Sequence, residues 1–429
     1  MKRQLFTLLM AAGLCLTMQA QTAKEEIAEN PYLSGSNYLD YDRQLSTKPL
    51  TPAPKGYEPF YMSHYGRHGS RWLINGKDYT NVIDALMKAQ KEGKLTPLGV
   101  ETLQKIERFY PTTIKRLGDL TTVGERQRHG IARRMVQNFP EIFKTKNVPI
   151  DARSTVVPRC ILSMMAECEE LSAANPSARI HNDVSESLQY YLNQQWSDRL
   201  RAASKKGHPL RDEYSRKLTH PERLCQQLFN DQKWVADSID AGRFMRGIFD
   251  VATNMQSHDT DIELLSLFTT DELYDQWRIR NVRWYLDYST SPVTDGIMCY
   301  SQLNLLKNII ETADTVKQVQ ATLRFGHEVC VMPLACLLEL NRLATPVTDM
   351  EQLEDTWRNY RIFPMACNVQ LVFYRPKKGK EGDILVKALL NEREASLPVA
   401  TDNWPYYKWQ DLRQHYLDKI RKFEESEKK

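Results

Sequence analysis

The sequence predicts an α/β protein: a doubly wound α/β core sheet with helices on both faces, plus a mostly α-helical cap insertion. Three observations predict it. Strand-like runs alternate with amphipathic helical stretches over residues 57–174. Residues 185–300 are rich in Leu, Trp, Tyr, Arg and Asp at helical spacing, with few strand signals. Strand character then returns at 321–326 and in two late runs, 368–374 and 384–390. The chain of 429 residues therefore divides into a core over 21–184 and 301–429 and a cap region over 185–300.

The elements follow in order. Residues 21–55 are polar, with Pro49, Pro52 and Pro54 near their end, and read as an extended N-terminal arm. Residues 57–66 carry the aromatics of a strand and run into Gly66. Helical patterns cover 79–93, 95–117 and 123–143, and Thr122 stands three before Glu125 as a capping box requires. A short strand is predicted at 148–152 and a helix at 159–174. After the cap, 321–326 alternates as a strand and 329–343 forms an apolar helix. The turn 376–382 joins the two late runs as a hairpin, and the charged tail 422–429 reads as a solvated helix end.

Composition narrows the function classes. Hydrophobic residues make up 41% and charged ones 26%, ordinary for a globular chain and far from a disordered one. The formal net charge is +4, without the strong basic excess of a nucleic-acid binder. No stretch beyond the N-terminus approaches the roughly 20 apolar residues of a membrane span. Residues 1–20 combine Lys2 and Arg3, a short apolar run and a final Ala20, the pattern of a cleaved bacterial signal peptide. Its removal leaves 56 basic against 54 acidic residues, a net +2. This predicts a periplasmic or secreted protein. The alternative use of Cys15 as a lipid anchor is disfavoured by the bulky Leu14 before it. Seven cysteines remain, with no CxxC pair and no zinc-ligand spacing, so most are expected to be small core residues.

Chemistry is expected at two strand–loop–helix joints. The first reads Gly66-Arg67-His68-Gly69-Ser70-Arg71. Arginine suits bidentate contact with phosphate oxygens. A neutral histidine between two arginines can attack phosphorus, and the cations favour that neutral form. The second joint reads Arg324-Phe325-Gly326-His327-Glu328, where a strand ends and a helix begins. A helix N-terminus favours anions. His327 can donate to a phosphate oxygen, and Glu328 can act as acid and then base. A third segment, Arg153-Ser154-Thr155 with Arg159 and Ser163, again follows a short strand, and Arg153 offers a third cation. Two weaker candidates are read mainly as structural. They are a His64/His68 metal pair and a basic cap cluster of Lys205, Lys206, His208 and Arg211.

These motifs resemble the histidine phosphatase superfamily. Arg67-His68-Gly69-Ser70-Arg71 is similar to its RHGxR signature. The Arg153-Ser154-Thr155…Arg159…Ser163 segment resembles the RSTxxxR…S run of its acid phosphatase and phytase branch. His327-Glu328 resembles that branch's proton-donor motif, and Leu120 and Thr121 or Thr122 with Gly124 and Gln127 its LTxxGxxQ helix start. The resemblance implies a phosphomonoesterase with His68 as the nucleophile that becomes phosphohistidine. It implies Arg67, Arg71, Arg153 and His327 as phosphate binders and Glu328 as proton donor. It further implies no cofactor and no metal, a small-molecule phosphate ester as substrate, and no nucleic-acid partner. Residues 368–374 and Leu389-Leu390-Asn391-Glu392 resemble late segments of multiple inositol polyphosphate phosphatases, which points to phytate. Two features depart from that pattern: Glu328 follows His327 directly instead of after an alanine, and Trp72-Leu73 stand where a proline is common.

Overall fold

A computed structural model describes residues 21–46, 48–315 and 319–428. The predicted signal peptide and Cys15 lie outside the described residues. Eight strands form one sheet: β1 (Tyr57–Arg67), β2 (Pro149–Ser154), β3 (Arg179–Val184), β4 (Ala321–Gly326), β5 (Asn368–Pro376), β6 (Leu385–Leu390), β7 (Arg393–Ala395) and β8 (Tyr407–Lys408). The order is β3-β2-β4-β1-β5-β6-β7, with β8 on the other end of β6. Strands β3, β2, β4 and β1 pair in parallel, while β5 to β8 add on antiparallel.

Side-chain alternation sends the residues of β1, β5 and β6 into two cores. Tyr61 and Tyr65 of β1, with Leu371 and Phe373 of β5, pack under helices Glu328–Leu337 and Trp409–Glu427. Met62, Ile150, Ala152, Leu323 and Phe325 point the other way, against helices Thr122–Asn138 and Pro158–Ala174. The predicted doubly wound sheet with helices on both faces is the observed one. Helix Glu328–Leu337 tolerates Pro333 because the carbonyl of Val329, four residues back, is taken by Gln194 Nε2 at 3.1 Å.

Between β3 and β4 the described residues form helices and 3-10 turns, with Thr270–Tyr288 the longest. Helices Gly76–Lys91 and Pro97–Phe109 and the arm helix Ala23–Glu29 share one apolar cluster with helices of the 224–277 stretch. No helix among the described residues is long and apolar enough to cross a membrane.

Local corrections have physical causes. The 21–55 arm is not simply extended: Ala23–Glu29 is a helix started by a Thr22/Glu25 capping box, and two 3-10 turns follow. The N-cap of helix Thr122–Asn138 is Thr121, whose hydroxyl accepts from Gly124 N, while Thr122 bonds Asp259 instead. Helix Pro97–Phe109 ends before Pro111, which belongs to a 3-10 turn. Strand β3 was not anticipated, because its polar, largely exposed edge sequence carries no apolar alternation. The seven described cysteines are buried and free, as expected of small core residues.

Candidate active site

The C-terminal ends of β1 and β4 lie side by side, with Arg67 opposite Gly326 in the register. The first joint therefore leaves the sheet beside the second. His68 N donates to Gly326 O at 2.9 Å, and Ala366 N donates to His68 O at 3.1 Å, so both sides of the His68 backbone are tied.

The loop after His68 is clamped against the start of helix Thr122–Asn138. Ser70 N donates to Gln127 Oε1 at 2.9 Å, and Gln127 Nε2 donates back to Ser70 Oγ at 3.0 Å. Thr121 N and Oγ1 donate to Ser70 O at 2.9 and 3.1 Å. The two backbones touch: a Cβ on Gly69 would stand 2.2 Å from Gly124 O, and one on Gly124 2.3 Å from Ser70 O. That mutual approach explains why both motifs carry glycine there. Ser163 Oγ accepts from Gly69 N at 3.1 Å and donates to Arg159 O, joining the third segment to the loop.

The side chains converge on Glu328, the first residue of its helix. Arg67 Nη2 stands 3.0 Å from Glu328 Oε1 and Arg71 Nη2 3.9 Å. His68 Nε2 stands 3.6 Å from Oε2. The His68 and His327 rings meet edge to face with centroids 5.7 Å apart. His68 Nδ1 lies 2.8 Å from Gly69 O. A carbonyl only accepts, so Nδ1 carries the proton and Nε2 keeps its lone pair. His327 Nε2 is 3.4 Å from Thr155 Oγ1.

Electrostatics fit this assignment. Burial, reinforced by Arg67 and Arg159, holds the His68 imidazole well below its ordinary value, so the ring stays neutral. Burial and then Arg159 bring His327 down to about 4. For Glu328 burial pulls upward, but the guanidiniums of Arg67 and then Arg71 outweigh it and hold the carboxyl well below its usual range. Ligand atoms of His68, His327 and Glu328 lie within 4.8 Å of one another, a spacing a metal can bridge. The guanidiniums of Arg67, Arg71 and Arg159 around them make the pocket one that attracts anions instead.

Five of the six predicted site residues come together: Arg67, His68, Arg71, His327 and Glu328. Arg153 does not. Its guanidinium pairs with Asp151 at 2.8 Å and with the Tyr191 hydroxyl at 3.2 Å. The register sets Arg153 beside Arg324, on the face opposite Ala152 and Leu323, away from the joint. The cation that arrives is Arg159, whose charge acts on His68, His327, Arg67, Arg71 and Glu328. Asn37 of the arm also reaches the site, donating to Glu328 Oε1 at 3.3 Å. His64 does not join His68; it sits by Phe325 and Arg128, with neither ring nitrogen bonded. In the basic cap cluster, Lys206 pairs with Asp295 and Arg211 with Asp287.

The sequence matches the profile of the histidine phosphatase superfamily (branch 2) over residues 66–391, about three-quarters of its length and including both joints. The chain belongs to this family. It is thus a histidine phosphatase, an enzyme acting on phosphate esters. No curated protein matches the sequence. Solved structures share its fold. A Bifidobacterium longum multiple inositol polyphosphate phosphatase in complex with inositol hexasulfate superposes with a TM-score of 0.69 at 16% identity, covering 90% of this chain and 97% of that one. The phytase from D. castellii gives 0.67 at 12% identity, covering 90% and 85%. The Hafnia alvei phytase gives 0.53 at 12% identity, covering 85% and 98%.

Proposed function

We propose that this histidine phosphatase is a periplasmic or secreted phosphomonoesterase acting on inositol polyphosphates such as phytate. In this reading His68 Nε2 attacks phosphorus and forms a phosphohistidine. Glu328 protonates the leaving alcohol and then activates the water that releases phosphate. Arg67, Arg71, Arg159 and His327 hold the phosphoryl oxygens and take up the charge that spreads over them. The observation that carries the mechanism is the His68 ring. Its Nδ1 is fixed on Gly69 O, which leaves the Nε2 lone pair facing the carboxyl that supplies the proton. The Glu328 carboxyl lies within 4 Å of His68 Nε2 although no alanine separates it from His327.

The inositol phosphate assignment is supported by the fold shared with phosphatases whose named ligands and substrates are inositol compounds. It is tested by phosphate release from phytate, glycerol 2-phosphate, a hexose 6-phosphate and p-nitrophenyl phosphate. Phytate should give the highest kcat/KM among the alkyl esters; preference for the hexose phosphate would replace the substrate class. Export is supported by the basic start, apolar run and Ala20 of residues 1–20. The exported protein should begin at Gln21 by N-terminal sequencing, and a retained leader would overturn this.

Arg159 is expected to matter where Arg153 does not. Arg159→Ala removes a desolvated cation from the phosphoryl pocket and should lower kcat/KM about 10²–10³-fold. Arg153→Ala breaks a half-exposed pair with Asp151 and should leave kcat/KM near wild type. A large loss from Arg153→Ala alone would reverse the assignment.

A further inference from the structure

The N-terminal arm enters the active site at one residue. Asn37 lies 291 positions before Glu328, yet its Nδ2 donates to Glu328 Oε1 at 3.3 Å. Its backbone oxygen accepts from Arg67 Nη1 at 2.5 Å. One buried asparagine therefore touches both a phosphate-seeking cation and the acid.

The chain is held in an uncommon conformation to bring it there. Ser36, the preceding residue, has φ +58° and ψ −118°, a region that L side chains occupy only under strain. Ser36 is buried and its hydroxyl has no partner. The arm is pinned just beyond: Asp40 N donates to Gln256 Oε1 at 2.9 Å, and Gln127 Nε2 donates to Asp40 Oδ1 at 2.7 Å. Strain of this kind persists where the surrounding structure over-determines it, and here it presents a single amide.

The two oxygens of Glu328 are not equivalent. Oε1 faces Asn37 Nδ2, Arg67 Nη2 and Arg71 Nη2, whereas Oε2 faces His68 Nε2. A bound phosphoryl group competes for both arginines and leaves the neutral amide as the donor to Oε1. An oxygen that accepts an N–H is the poorer place for a proton. We infer that Asn37 is a positioning residue for proton donation: by occupying Oε1 it leaves Oε2 as the oxygen that carries the proton of Glu328. As the His68 Nε2–phosphorus bond forms, the phosphorus–oxygen bond to the leaving group breaks. The Oε2 proton passes to that oxygen, giving the free alcohol and the carboxylate.

This inference rests on the reading of Glu328 as proton donor. The other groups facing Glu328 are His327 beside it and Cys330 on its own helix. Arg159 and Cys160 face it from helix Pro158–Ala174, Tyr288 from the end of helix Thr270–Tyr288, and Cys367 from before β5. None of them competes with Asn37 for a hydrogen bond to Oε1 among the described residues.

Asn37→Asp keeps the shape and the carbonyl held by Arg67, but replaces the donor with a second carboxylate. Like charge favours the protonated form of Glu328 and draws its proton toward Oε1. The expected result is a loss in kcat/KM on glycerol 2-phosphate about tenfold greater than on p-nitrophenyl phosphate, a fraction of the 10²–10⁴ of a whole general acid. The basic limb of kcat on glycerol 2-phosphate should also move to higher pH. Asn37→Ala, checked for an unchanged melting transition, should show the same substrate split. Equal losses on both substrates with an unmoved limb, or no loss, would overturn the inference. In a Glu328→Gln background Asn37→Asp should add less than about twofold, because no proton remains to direct. Should Glu328→Gln itself fail to separate the two substrates, the proton-donor reading falls. Should it separate them while Asn37→Asp does not, only the role of Asn37 falls.

Discussion

His68→Ala is expected to lower kcat by at least about 10⁴-fold on every substrate, the scale on which removing a covalent nucleophile acts. The fold should survive. The backbone bonds from His68 N to Gly326 O and from Ala366 N to His68 O do not involve the ring, and Ser70 remains clamped by Gln127 and Thr121. The alternative nucleophile is His327. Its Nε2 lies by Thr155 Oγ1, and Cys160 Sγ is 3.8 Å from both ring nitrogens; a hydroxyl and a thiol can each donate or accept, so neither fixes its proton on one nitrogen. His68 has that acceptor in Gly69 O, and burial with Arg67 and Arg159 keeps its ring neutral even in acid. Labelled phosphate trapped by alkaline quench should appear on the wild-type protein and vanish in His68→Ala. Near-normal turnover of p-nitrophenyl phosphate by His68→Ala would place the nucleophile elsewhere.

Much of this was legible in the sequence, and the failures have identifiable causes. Short motifs spanning a strand end and the following turn revealed both joints, because the chemistry there depends on local residues in fixed order. The assignment of Arg153 failed on a question of facing. The segment holds two arginines, and only one can point into the site. The period of two along β2 places Ile150 and Ala152 in one core and so turns Arg153 toward the other face. Arg159, on the first turn of the next helix, is free of that alternation. Asn37 was invisible for a different reason. Nothing within residues 21–55 signals a contact made to Glu328 across 291 positions, and its polar composition reads as any solvated arm does. The adjacent threonines at the start of helix Thr122–Asn138 show the same limit at short range. Capping preference alone does not separate them, and the deciding contact is Thr121 with Ser70 O.

Glu328→Gln is expected to separate substrates by the basicity of their leaving groups. In the free site Arg67 holds the carboxyl ionised, which is the wrong form for an acid. A phosphate dianion changes this, because it takes up the arginines that stabilise the carboxylate and sets a like charge beside it. Both changes would raise the pKa of Glu328, so in the proposed mechanism the substrate itself creates the acid that its leaving group needs. Glutamine cannot supply that proton. An inositol or glycerol oxygen leaves poorly as an alkoxide, so kcat/KM on such esters should fall about 10²–10⁴-fold. A nitrophenolate leaves unassisted, and kcat/KM on its ester should fall at least tenfold less. The second half-reaction gives an independent reading. Without the carboxylate, water attacks the phosphohistidine slowly, so rapid mixing with p-nitrophenyl phosphate should release a burst of nitrophenolate equal to the enzyme before a slow steady state. Losses of equal size on both esters would remove Glu328 as the acid, and steady turnover with no burst would remove it as the base. The wild-type enzyme should show no such burst, because in the proposed mechanism the carboxylate left by the first step stands 3.6 Å from the nitrogen that carries the phosphoryl group.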